Sequence, residues 1–161
     1  MFKNLLAVVC TGVAVSCTAA TLQGRISSRC KVSCVSADRL LKSVETEAFK
    51  RGLDFKLVLA VIEVESGYQH TAVSRGNHGL MQVNLKYHRR KFVMPPTHVE
   101  DNVKVGVSIL SDCLAMKKGH VSKALKCYNG SQSDTYRLKV EKVLSSINRV
   151  VFTNKETYGN D

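Results

Sequence analysis

Apolar residues along this chain recur mostly at helical spacing, broken by glycines and short polar turns. Between Asp38 and Arg51 the apolar residues Leu40, Leu41, Val44 and Ala48 recur at helical spacing, and Gly52 follows where a helix-ending glycine belongs. That predicts a first helix over 38–51. Asp54 can cap a second helix through Ser66, with Val58, Val61 and Ile62 as its stripe and Gly67 as its stop. Tyr68 to Gly79 is polar and rich in turn formers. A short apolar run, Leu80-Met81-Gln82-Val83, precedes the basic stretch Lys86-Tyr87-His88-Arg89-Arg90-Lys91, and Pro95-Pro96 ends it. A third helix is predicted from Asn102 to Met116 on Val103, Val107, Leu110 and Leu114, with Gly106 permitting close packing. A fourth covers Val121 to Tyr128, and a last one Asp134 to Val151. No repeat or linker divides residues 38–151, so they read as one mainly α domain with little or no sheet, followed by a polar tail over 152–161.

The first twenty residues have a different pattern. A short positive start (Met1 to Asn4), an apolar stretch (Leu5 to Val15) and a small-residue zone ending Thr18-Ala19-Ala20 form the three-part layout of a secretory signal. The stretch falls short of the ~20 residues a spanning helix needs. Cleavage after 1–20 and export to the periplasm or the extracellular space is therefore the expectation. An uncleaved membrane anchor and a lipid-modified Cys17 are the alternatives. Cleavage would remove Cys10 and Cys17 and leave Cys30 and Cys34, in an N-terminal segment over 21–37, with Cys113 and Cys127. In an oxidising compartment these four are disulfide candidates with three possible pairings. Cys113 with Cys127 is preferred, because each falls on one of two helices joined by the turn Lys117-Lys118-Gly119-His120. Zinc is the rival use, but no paired ligand spacing supports it, and no metal or other cofactor is expected.

Composition narrows the partner. The 161 residues carry 24 Lys+Arg against 13 Asp+Glu, a formal charge of +11, with 44% apolar residues and no tryptophan. An ordinary globular balance excludes a disordered or fibrous chain, and the charge calls for an anionic partner: nucleic acid, acidic lipid or cell wall. Lys86 to Lys91 contains no nucleic-acid-binding motif and no stacking platform, so nucleic acid is not the expected partner.

One side chain stands out chemically. On a helical wheel Glu65 lies about 20° from Val58 and about 40° from Val61, centred on the apolar stripe, while Glu63 is rotated about 200° away and is expected to face solvent. A carboxyl in apolar surroundings resists ionisation and can act as a general acid near neutral pH. A buried structural carboxyl is the competing account. The surrounding residues decide against it: Glu65-Ser66-Gly67, then Gly79-Leu80-Met81-Gln82-Val83-Asn84, then Ala124-Leu125-Lys126-Cys127-Tyr128-Asn129-Gly130, occur in that order.

Over Leu40 to Val143 these segments resemble the lytic transglycosylase family, with its Glu-Ser, Gly-Leu-Met-Gln and Ala-Leu-x-x-Tyr-Asn segments. Asp101-Asn102-Val103 with Gly106, and Tyr136-x-x-x-Val140, also look like this family's. Ser74-Arg75-Gly76-Asn77-His78 departs from it, replacing a frequent Gly-Ala pair with a shorter connection. The resemblance implies a lysozyme-like helical domain that cleaves peptidoglycan strands. By the same resemblance Glu65 is catalytic, Ser66 orients acid or substrate, Met81 and Gln82 line the groove, Tyr128 hydrogen-bonds near Glu65, and Asn129 buttresses the backbone. Tyr136 and Tyr128 are candidates for sugar contact.

A hydrolytic glycosidase usually needs two carboxyls, and here Glu100, Asp101 and Asp112 lie in no comparable segment. A single acid suffices where the substrate's N-acetyl group supplies the second function. The expected reaction is cleavage between N-acetylmuramic acid and N-acetylglucosamine with formation of 1,6-anhydromuramic ends. A goose-type hydrolytic muramidase is the alternative within the class; a non-catalytic basic protein that binds cell wall or nucleic acid is the alternative outside it. Secretion, conjugation and phage assemblies are the partners such an enzyme could serve, and the residues select none.

Overall fold

The structure is a computed structural model and describes residues 21–31 and 35–158, with side chains described through Val151. The segment read as an export signal, with Cys10 and Cys17, lies outside the described residues, as does Cys34. Seven helices are present among the described residues: α1 (Leu22–Arg29), α2 (Ala37–Lys50), α3 (Phe55–Ser66), α4 (Leu85–His88), α5 (Val99–Met116), α6 (Val121–Asn129) and α7 (Asp134–Tyr158). Three two-residue strands, β1 (Val73–Ser74), β2 (Asn77–His78) and β3 (Val83–Asn84), form an antiparallel sheet in sequence order. The mainly helical expectation holds.

At the centre is α3. Asp54 caps it by accepting from the Lys56 amide at 2.9 Å, and it ends at Gly67. Every residue from Leu57 to Ile62 is buried, so the helix is apolar all round rather than along one stripe, as befits a core helix. Its most extensive packing is against α7, with α2 on another flank. Leu40, Val44 and Ala48 of α2 and Val103, Val107 and Leu110 of α5 meet in the same core.

Beyond the small sheet and the short α4, which were not predicted, three helices differ from the sequence expectation. Residues 22–29 form a helix, capped by the Thr21 hydroxyl accepting from the Gly24 amide at 3.0 Å, where no helix was predicted. Helix α5 begins three residues early, at Val99, directly after the Pro95-Pro96 turn. Helix α7 runs on to Tyr158 rather than stopping at Val151, because no glycine or proline interrupts the chain before Gly159. The departure at Ser74 to His78 is a tight hairpin: β1 pairs with β2 across Arg75 (φ 50°) and Gly76 (φ 82°), the two-residue turn whose twist matches antiparallel strands.

Cys113 and Cys127 are joined in a disulfide, Cα to Cα 5.8 Å, which ties α6 to the end of α5 as the hairpin argument predicted. Cys30 is also disulfide-bonded.

Candidate active site

The turn after β2 is built by one buried side chain. Asn102 of α5 is fully buried; its Oδ1 accepts from the Met81 amide at 2.8 Å and its Nδ2 donates to the carbonyls of His78 (2.9 Å) and Pro96 (2.7 Å). Gly79 is required there, since its φ is +76° and a Cβ would lie 2.6 Å from the Pro96 oxygen. At Gly106 a Cβ would meet Met81 Cβ at 2.6 Å, so α5 and the turn touch backbone to side chain. Gln82 takes a left-handed φ of 45°, ordinarily unfavourable for a side-chain-bearing residue. Its Nε2 offsets this by donating to the carbonyls of Ala72 (3.0 Å) and Gly79 (2.9 Å).

The far wall comes from α6. Tyr128 donates its hydroxyl to the Met81 carbonyl at 2.7 Å, so Met81 is held on its amide by Asn102 and on its carbonyl by Tyr128. Between turn and helix lies a cleft of about 310 Å3, bordered by Glu65, Asn77, Gln82, Asn84, Tyr128 and Asn129. A second concavity, of about 390 Å3, continues beyond Glu65 and Asn129 along Ser131, Thr135, Tyr136 and Lys139. Glu65 therefore stands where two polar hollows meet, in position to act on a bond of a chain lying through both. Among the described residues bordering them it is the sole carboxyl.

Tyr136 of α7 donates its hydroxyl to Glu65 Oε1 at 2.7 Å. Burial pushes the Glu65 carboxyl up to about 7, and the Tyr136 hydrogen bond holds it back from rising further. Burial, with Glu65 alongside, also raises both tyrosines well above the usual phenol range, so they stay neutral donors. The site thus contains a carboxyl that can be protonated near neutrality and can also hold a charge.

The site residues read from the sequence fall into two groups. Glu65, Gln82, Tyr128 and Asn129 border the cleft, and Tyr136 borders the adjoining concavity. Ser66 and Met81 do not reach it with their side chains: Ser66 is buried and its hydroxyl bonds back to the Ile62 carbonyl at 3.1 Å, and Met81 is buried against Gly106. The two tyrosines make different bonds beside Glu65. Tyr136 bonds Glu65, and Tyr128 bonds the Met81 backbone.

Glu63 corrects the helical-wheel reading. Its side chain is only 7% exposed and is gripped by Arg25 of α1 at 2.7 and 2.9 Å, with the Tyr68 hydroxyl donating at 2.9 Å. The wheel placed it in solvent because α1, which covers that face, was not recognised as a helix. Asn77 and Asn84, which border the cleft and bond to each other at 2.8 Å, and the clamp Asn102 were not assigned roles by sequence reasoning. An asparagine inside the apolar pattern of α5 was the available signal for Asn102.

The other acids are occupied elsewhere. Glu100 pairs with Arg39 at 2.6 Å, whose guanidinium holds it down to about 2. Asp101 accepts from the amides of Val93 (2.8 Å) and Met94 (3.0 Å), and Asp112 faces Lys91 at 3.4 Å.

Comparison with known families adds one match: the model of the Transglycosylase SLT domain covers residues 42–145, well over half of the chain and every residue of the cleft named above. No solved structure matches the chain.

Proposed function

The chain belongs to the transglycosylase SLT domain family, whose reaction is cleavage of peptidoglycan glycan strands, and on that premise we propose that Glu65 performs this cleavage without water, first as acid and then as base. The observation that carries the reading is the lone carboxyl at the junction of two hollows, raised to about 7, with one tyrosine on Oε1 and no partner on Oε2 among the described residues. Such a carboxyl is protonated in about half of the molecules at pH 7 and can deliver that proton from Oε2.

Glu65 protonates the oxygen linking N-acetylmuramic acid to N-acetylglucosamine, the bond to the anomeric carbon breaks, and N-acetylglucosamine leaves with a free hydroxyl. The neighbouring N-acetyl carbonyl stabilises the cation that develops, which removes the need for a second carboxylate. Glu65, now charged and steadied by Tyr136, takes the proton of the muramic 6-hydroxyl as its oxygen closes on the anomeric carbon. A 1,6-anhydromuramic end forms and the acid is restored. The disulfide suits an oxidising compartment, and export through residues 1–20 belongs to the same proposal. Wall-opening for a secretion, conjugation or phage assembly is the setting it fits.

Purified peptidoglycan digested with the protein tests this by mass spectrometry of the muropeptides. Anhydro ends, one water lighter than reducing ends, are expected. Reducing ends would assign the goose-type hydrolytic reaction in its place.

A further inference from the structure

Cys127 and Gly130 border the catalytic cleft on one side and a separate recess of about 260 Å3 on the other; Lys117, Lys123, Lys126 and Gln132 complete that recess. Among the described residues no acid borders it. Lys126 pairs with Asp134 at 3.0 Å, but Asp134 is already engaged by Arg137 at 2.9 Å, and among the described residues no ion pair is present for Lys117 or Lys123. Both are exposed.

The fold does not account for this gathering of charge. Lys117 ends α5, where a cation suits the helix dipole, but Lys123 is in the first turn of α6, where a cation is disfavoured. Lysines facing one hollow repel each other, and Lys123 and Lys126 are additionally neighbours on the helix surface. The disulfide ties together the two helices that carry them, so Lys117, Lys123 and Lys126 border one recess. An anion placed there would relieve the repulsion.

We propose that this recess binds the carboxylates of the stem peptide carried by the muramic residue in the adjoining cleft. The inference rests on the peptidoglycan reading above. It follows from continuity: a glycan lying along Asn129 and Gly130 has its substituents beside the lysines, and those substituents are anionic. The recess contributes to binding and takes no part in bond cleavage.

The test compares the Lys117→Gln/Lys123→Gln variant with the wild type on two substrates, both freed of phosphate polymers: intact peptidoglycan, and the same strands stripped of stem peptides by an amidase. The expected result is a KM on intact material raised about five-fold at low salt, with kcat unchanged, no change on stripped strands, and convergence of the two proteins at high salt. An equal change on both substrates, or none on either, overturns the recess while leaving the cleft's function standing. A KM change that appears only when phosphate polymers are retained reassigns the recess to phosphate and overturns the stem-peptide proposal. Wild-type protein that cuts neither substrate overturns the functional reading, and this inference with it.

Discussion

Glu63 and Glu65 leave the same helix in different directions and meet different neighbours. Glu63 lies against Arg25, Tyr68 and, through Arg25, Ser146, in a network that ties α1 and α7 to α3. Glu65 has one neutral hydroxyl and two open hollows. Both carboxyls are removed from bulk water. The difference is the counter-charge: Glu63 is bound by a guanidinium and Glu65 by a neutral phenol. Burial without a neighbouring cation raises a carboxyl toward neutrality, which is what a general acid requires.

The strongest way to break the comparison is to neutralise each residue in turn. Glu65→Gln is expected to lower the cleavage rate by roughly a thousand-fold, the scale of a lost general acid, with circular dichroism unchanged. Glu63→Gln is expected to leave the rate per folded molecule intact but to cost about 3 kcal/mol in denaturant unfolding, because Arg25 is left buried without its partner. If the rate loss follows Glu63 and the stability loss follows Glu65, the roles are reversed.

Stability against pH sharpens the contrast. A carboxyl raised from 4.5 to about 7 binds more protons folded than unfolded between those values, so its presence lowers stability as pH rises through that window. The penalty is fully present above about pH 7 and absent below the unfolded value, and it amounts to about 3 kcal/mol. Glu65→Gln should therefore melt several degrees higher than the wild type at pH 8 and at nearly the same temperature at pH 4. Equal melting temperatures at both pH values would show that Glu65 is not held in the state described.

Smaller effects concern the groups that hold the site. Activity should fall as pH rises through about 7, since the acid form begins the reaction. In Tyr136→Phe the midpoint should move up by about one pH unit, because a hydrogen bond worth on the order of 1 kcal/mol no longer favours the charged form. An unmoved pH profile would make Tyr136 a packing residue.

Much of the fold was legible because it is local. The stripes of α2 and α5, the cap at Asp54 and the stop at Gly67 depend on residues within a few positions of each other, and a helical period exposes them. The Cys113 to Cys127 bridge was legible for the same reason, being a hairpin apart. Helix α1 was not, since Leu22 to Arg29 has few apolar residues and Ile26 alone is buried among its hydrophobics. Missing α1 meant missing the neighbour of Glu63.

The sequence by itself determined the helical domain, its disulfide hairpin and the position of Glu65 at the end of an apolar helix. Only the tertiary structure decided what each polar side chain meets. Tyr136 reaches Glu65 across 71 positions, Arg25 reaches Glu63 across 38, and Asn102 reaches the Met81 amide across 21. Such partners are fixed by how helices pack, which periodicity does not encode. Whether a buried carboxyl meets a guanidinium or a phenol depends on that packing.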